Sequence, residues 1–327
     1  MSAKVFSAYK LSFTTPLHIG DNRDDYGVSL RTLSSDAFYA AVTAALAKMG
    51  EEIPEDGNLG CVISALFPFY QKDKSSEPVF FFPIPLLRES PRLEGERYAA
   101  AKRIKGIRWL DLPYFQKVLN GEPLWGSDES FSDIKGEYLT HCPIPEDFIR
   151  SEVTARVAVS RAFEDSRPFY MDRVFFTGRS GLFFLVEGDT GRIDRALPFL
   201  SSEGIGTDRN VGNGFFDFEK VNVCISCPDD SPASLVLSTL IPEDRQQLES
   251  MVSGGEVAYE MVRRGGWIST PPYLTLRKNA IYAFAPGSVF RGLPSGCGRI
   301  VDLAPSGLVR HPVWRCGKAI VLPISSV

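Results

Sequence analysis

The residues most suited to chemistry lie between 204 and 216, in the run Gly204-Ile-Gly-Thr-Asp-Arg-Asn-Val-Gly-Asn-Gly-Phe-Phe216. Four glycines, at 204, 206, 212 and 214, surround Asp208, Arg209 and Asn210. Glycine weakens helices and strands, but it lets backbone take positive φ and come close to a neighbour. Successive exposed N–H groups in such a loop make a concavity for an anion. Arg209 has the planar fork that grips a phosphate, and Asn210 and Asn213 have amides suited to sugar or base edges. That pattern predicts a nucleic-acid contact. The competing reading is a packing loop between two domains, with Arg209 paired to Asp208 or Glu203.

Two more stretches carry cations. Arg97 to Arg108 holds Arg97, Lys102, Arg103, Lys105 and Arg108 among its residues. A phosphate track explains such a run, since each neutralised phosphate releases counterions; a solvated helix face or a partner contact explains it too. Trp109 follows, either as a stacking platform or as core. The segment 150–175 carries Arg150, Arg156, Arg161, Arg167 and Arg173 against Glu152, Glu164, Asp165 and Asp172. Arg156 and Arg161 are five apart, so a regular strand turns them to opposite faces unless a bulge intervenes.

Catalytic constellations are sparse. The three histidines, His18, His141 and His311, are scattered, and Cys224 and Cys227 form a lone Cys-x-x-Cys pair on a predicted strand. Residues three apart on a strand face opposite ways, so no metal is expected. No nucleophile elbow or dinucleotide fingerprint occurs, and no cofactor is expected.

These groups need elements to hold them. The 327 residues suffice for two domains, and 44% hydrophobic content with 23% charge is ordinary for a globular chain. The net charge of -4 excludes a protein that coats nucleic acid by overall charge, while leaving room for a local basic groove. No apolar run approaches the ~18 residues of a membrane span. The N-terminus does not read as a signal peptide, so a cytoplasmic protein is expected. Val5–Phe13 alternates with period two and predicts a strand with Val5, Ser7, Tyr9, Leu11 and Phe13 on one side. Ser34 or Ser35 caps a helix running to Met49, with Asp36 favouring its positive end, Gly50 stopping it, and Phe38, Val42, Ala45, Leu46 and Met49 as its stripe.

Further on, 79–87 predicts a buried strand, and 88–145 an insertion with short helices. The segments 154–161 and 171–176 predict the arms of a hairpin. Residues 182–186 predict a strand, 192–200 a helix leading into the glycine loop, and 215–223 the strand leaving it. The C-terminal third predicts strands over 233–240, 256–262, 276–284 and 313–321, with a helix over 243–251. Many strands and few helices, twice over, predict two α+β units with antiparallel sheets.

Several of these motifs together resemble the RAMP superfamily of CRISPR proteins. They are Leu11-x-Phe13 with Pro16-Leu-His-Ile-Gly20, then Ser35-Asp-Ala-Phe-Tyr, then the 204–214 loop. Lys102-Arg-Ile-Lys-Gly-Ile-Arg-Trp109, Phe284-Ala-Pro-Gly-Ser-Val-Phe290 and His311-Pro-Val-Trp-Arg-Cys-Gly-Lys-Ala319 narrow the resemblance to the fourth-subunit family of the type III-A Csm effector complex. The resemblance implies two ferredoxin-like (RRM-like) domains: residues 1–203, with the insertion at about 88–145 and the hairpin at about 150–176, and residues 204–327, opening on the glycine loop. It implies a subunit without nuclease activity that holds the 5′ repeat-derived handle of the guide RNA (crRNA) and docks the large polymerase-domain subunit beside the backbone RAMP subunit. The expected RNA contacts are Lys102, Arg103, Lys105, Arg108, Arg156, Arg161, Gly204, Gly206, Arg209, Asn210, Gly212, Asn213 and Gly214. The hairpin is expected to act as a thumb, with Phe169-Tyr170 at its tip as a wedge. Family members tend to end the loop Gly-x-Gly-Arg-Phe; here Phe215 replaces the cation. The rival reading is a RAMP endoribonuclease that processes repeat RNA, with His18 as acid or base.

Overall fold

The computed structural model describes residues 2–20, 26–87, 101–124, 131–159, 166–253 and 257–325. The chain is α+β. In its first part come β1 (Ser2–Phe13), α1 (Ser35–Lys48), β2 (Cys61–Ile63), β3 (Phe67–Tyr70) and β4 (Val79–Pro83). Next are α2 (Ala101–Gly106), β5 (Trp109–Asp111), α3 (Leu112–Leu119), β6 (Ile134–Lys135) and β7 (Tyr138–Leu139). A hairpin of β8 (Ile149–Val159) and β9 (Ser166–Phe176) precedes β10 (Gly181–Gly188), α4 (Gly191–Glu203) and β11 (Phe216–Cys227). Among the described residues these strands, the hairpin aside, form one nine-stranded sheet in the order β11-β1-β10-β3-β4-β5-β7-β6, with β2 also on β10.

Both faces of this sheet are covered at its centre. Phe38, Val42 and Leu46 of α1 and Ile193, Leu197 and Leu200 of α4 share one core with Tyr9, Leu11 and Phe184. On the other face, Phe6, Ala8, Phe183 and Leu185 share a core with Phe115 and Leu119 of α3 and with Leu235 and Leu322 from the C-terminal third. Two-sided burial explains the unbroken apolar run Leu182-Phe-Phe-Leu-Val186. It also corrects the one-sided reading of β1. Lys10, on its second face, is buried, held by Glu219 at 2.9 Å and Gln71 at 3.2 Å, while Val5 lies exposed. Met49 likewise leaves the predicted stripe: it caps α1 and is exposed.

The strand after the glycine loop was expected to open a C-terminal unit. Instead β11 pairs with β1 from Ser2↔Cys227 to Phe13↔Phe216. The chain leaves the large sheet after Cys227. Beyond it, β12 (Ala233–Val236), α5 (Arg245–Val252), β13 (Met261–Arg264), β14 (Ile281–Phe284), β15 (Val289–Arg291), β16 (Ile300–Asp302), β17 (Trp314–Cys316) and β18 (Val321–Ile324) complete the fold. They form a three-stranded sheet, β15-β12-β18, and the ribbons β13-β14 and β16-β17. The predicted strands over 256–262 and 276–284 shrink to a four-residue ribbon on each side. The 88–145 segment, as far as it is described, is less an insertion than an extension: β5 pairs with β4 and carries β7 and β6 outward.

Candidate nucleic-acid interface

The glycine loop is laced to the segment that follows β1. Gly204 ends α4 at φ +79°. Ile205 N–H donates to the Gly214 carbonyl at 2.9 Å, Gly214 N–H to that of Pro16 at 2.8 Å, and Thr207 N–H to that of His18 at 2.8 Å. The glycines are needed for that lacing. A Cβ on Gly204 would sit 2.7 Å from the Asn213 carbonyl oxygen; one on Gly206 would strike the His18 carbonyl, and one on Gly214 the Ile205 carbonyl. Three of the four predicted RNA-approach positions are thus occupied by the chain's own backbone. Gly212 differs: it has φ +88°, and a Cβ there meets nothing within 4 Å.

The side chains divide in the same way. Asn213 is fully buried, its amide donating to the Asp208 carbonyl at 3.2 Å and lying 3.8 Å from Met171 Sδ, so it reads no base edge here. Asn210 is exposed. Arg209 lies 3.5 Å from Glu203, which also takes Lys48 at 2.6 Å, and it donates to the Gly204 carbonyl at 3.4 Å. The outward rim of the loop is therefore Arg209, Asn210 and Gly212.

The hairpin is fastened beside this loop. Its base is fixed by Leu17 and Val174, whose N–H groups each donate to the other's carbonyl at 2.9 and 2.8 Å. The register Thr154↔Met171 and Arg156↔Phe169 puts Thr154, Arg156, Met171 and Arg173 on one face. Met171 is buried against Asn213, so that face closes on the glycine loop. Arg173 Nε donates to Thr154 Oγ1 at 3.0 Å. Burial, and then the nearby Arg156 guanidinium, hold Arg173 below its usual pKa, with Glu152 opposing. Arg156 Nε is buried with no acceptor among the described residues. Two like charges with spare donors make this face anion-seeking. In sequence Arg173 stands among the hairpin's cations but not among the expected contacts; the register Glu152↔Arg173 and Arg156↔Phe169 puts it on the face of Arg156. Arg161 lies outside the described residues. Phe169 and Tyr170 sit below the turn, not at its tip: Phe169 packs 5.3 Å from Tyr26 between ring centroids, while Tyr170 is 68% exposed on the opposite face.

The basic run is separate. Ile104 and Ile107 anchor α2 and its exit, leaving Lys102, Arg103, Lys105 and Arg108 exposed. Arg103 donates to the Ile134 carbonyl at 2.9 Å, and Arg108 sits 3.9 Å from Glu137. Arg97 lies outside the described residues. Trp109 is partly buried against Phe67, at 6.1 Å between centroids, and belongs to the core. This run leads into β5, whereas the glycine loop leads into β11; five strand steps separate them in the sheet, about 24 Å.

His18 is 2% exposed. Its Nδ1–H donates to the Asp172 carbonyl at 2.7 Å and its ring stacks near Tyr26. It braces the hairpin base. Cys224 is exposed and Cys227 buried, as opposite faces of a strand require.

A family model described as the CRISPR Csm4 C-terminal domain matches residues 229–324, beginning two residues after β11 ends. A Csm4 protein of Thermococcus onnurineus is 29% identical over 74% of this chain and 74% of its own length. One from Mycobacterium tuberculosis is 29% identical over 92% of this chain and 93% of its own. The chain is similar to Csm4 proteins over most of its length. Its fold agrees with solved structures. A chain of the Csm1-Csm4 cassette crystallised with cA4 matches with a TM-score of 0.60 at 23% identity, over 98% of each chain. A chain of the Csm3-Csm4 subcomplex of the type III-A interference complex matches with 0.60 at 17% identity, over 98% of this chain and 100% of that one. Among the described residues, no helix is long and apolar enough to cross a membrane.

Proposed function

We propose that this chain is a non-catalytic, guide-RNA-binding subunit of a type III-A Csm effector complex, holding the repeat-derived 5′ handle. The observation that carries the reading is the hairpin face of Arg156 and Arg173, which Met171 fastens through Asn213 to the loop whose rim is Arg209, Asn210 and Gly212. Between them we infer a cleft, with a spare guanidinium donor on the hairpin side and open backbone at Gly212 on the other, suited to a phosphodiester chain. The order β11-β1-β10-β3, with α1 and α4 packed on one face, supports reading the first 227 residues around a ferredoxin-like unit, with a second smaller unit after the 228–232 link. The partners are those named for the similar structures, the large subunit Csm1 and the backbone subunit Csm3. The buried, carbonyl-bound His18 gives the endoribonuclease reading no support.

The test is to assemble the complex with an Arg156→Ala/Arg173→Ala chain and measure guide-RNA affinity across salt concentrations. Affinity is expected to fall more than tenfold, with the slope of log K against log salt flattened by about one to two units. Unchanged affinity and slope would refute the cleft. Cleavage of repeat RNA that disappears in His18→Ala would refute the non-catalytic reading.

A further inference from the structure

A second charged cluster lies where α1 meets the C-terminal strands, and the RNA cleft does not use it. Asp36, in the first turn of α1, is fully buried. Arg264, at the end of β13, places Nε 2.9 Å from its Oδ2, and Arg315 of β17 places Nη1 3.3 Å from the same oxygen. The Thr239 hydroxyl donates to Oδ1 at 3.1 Å, and Arg264 Nη2 donates to Ser34 Oγ at 2.7 Å. Ser34, expected as a helix cap, thus serves the cluster instead.

One carboxylate faces two guanidiniums, and Lys278 adds a third cation. Lys278 is partly buried, and its ammonium has no hydrogen bond or ion pair among the described residues. Arg315, 10% exposed, has a buried Nε with no acceptor. Burial alone would raise the Asp36 carboxyl, but Arg264 and Arg315 outweigh it and hold the group below the usual carboxylate range. Burial, then Arg315, push the Lys278 ammonium down to about 7; Asp36 pulls the other way and Arg264 adds to the push. Uncompensated buried charge is costly and favours either deprotonation or capture of a counter-charge.

We propose that Arg264, Lys278 and Arg315 form a binding site for a phosphate-type oxyanion at the seam between α1 and the C-terminal strands. The three cations exceed the single carboxylate by two charges, an excess that a bound phosphate anion offsets. Planar guanidinium forks and a point-like ammonium are the donors that tetrahedral oxyanions take. Asp36 pins both arginines in advance, so little side-chain freedom is lost on binding. Arg264, at 23% exposure, and Lys278 give the ligand its entry. An oxyanion beside Lys278 favours its charged form, so binding takes up a proton where the free group is neutral, above pH about 7.

The experiment uses the full chain with inorganic phosphate against chloride at matched ionic strength, read by thermal melting and by 31P NMR titration at pH 6 and 8.5. Phosphate is expected to raise the melting temperature by a few degrees at pH 6 and by less at pH 8.5. Lys278→Met removes an unpaired charge and keeps the fold; its phosphate Kd is expected to rise at least tenfold, while Lys278→Arg retains binding. Adenosine 5′-monophosphate binding tenfold tighter than phosphate assigns the site to a nucleotide-borne phosphate, and equal binding assigns it to the free ion; either upholds the site. The proposal is overturned if wild type shows no phosphate-specific shift, if Lys278→Met binds as wild type does, or if poly-glutamate binds where phosphate does not.

Discussion

The glycine loop and the basic run carry the same expectation in sequence, and the fold treats them oppositely. In the loop, three glycines are consumed by contacts with Asn213, His18 and Ile205, and Asn213 is sealed inside. In the run, Lys102, Arg103, Lys105 and Arg108 stay outside while Ile104 and Ile107 do the anchoring. A glycine reports that something comes close without saying what; here it is the loop's own other arm at Gly204 and Gly214 and the segment after β1 at Gly206. A long cation beside apolar anchors reports a surface more directly, because burying it unpaired is costly.

The contrast is broken most sharply at Gly214. A Cβ there meets the Ile205 carbonyl, and φ is +78°. Gly214→Ala is expected to lose several kcal/mol of stability, seen as a large fall in denaturation midpoint or as insoluble protein. Gly212→Ala has open space and only the left-handed strain, about 1 kcal/mol. Its melting temperature should fall by a few degrees, while guide-RNA affinity falls tenfold if the rim is the contact. Equal destabilisation of the two variants would show that the rim is packed as tightly as the base.

Next in size is the quadruple replacement of Lys102, Arg103, Lys105 and Arg108 by alanine. RNA affinity should weaken irrespective of base sequence, and the salt slope should flatten by about one unit per lost phosphate contact. Unchanged slope with lost complex assembly would make the run a protein-docking patch. The smallest effect is expected at Arg209→Ala. Its pairing with Glu203 is partly exposed and contributes little, within about 0.5 kcal/mol. Melting should barely move while RNA binding drops; a clear loss of stability would count Arg209 with the lacing instead of the rim.

Much of the frame was legible. The period-two run of β1, the cap-and-stripe pattern of α1 and the hairpin arms all follow local rules, and local rules survive folding. What escaped was set by partners far along the chain. Asp36 looked like a dipole residue, yet its arginines come 228 and 279 positions later. The one-sided reading of β1 failed because α3 and the C-terminal strands cover its second face. Asn213 looked like an RNA reader because nothing nearby in sequence says that Met171 will cover it. At the candidate site, residue types were readable and their facing was not; that Arg173 shares a face with Arg156 comes from the hairpin register.

The placement of β1 also bears on how the molecule is made. β1, made well before its partners, lies between β10 and β11, pairing Leu11 with Leu182 and Ser2 with Cys227. Neither neighbour exists until most of the chain has been synthesised, so at roughly 5–20 residues per second β1 waits on the order of ten seconds or more. Contacts this distant slow folding and leave an apolar strand unpaired in the meantime. A nascent chain halted before residue 216 would present a bare twelve-residue edge, a template for pairing with other chains. The cell therefore has reason to keep such fragments short-lived or shielded until β11 closes the sheet.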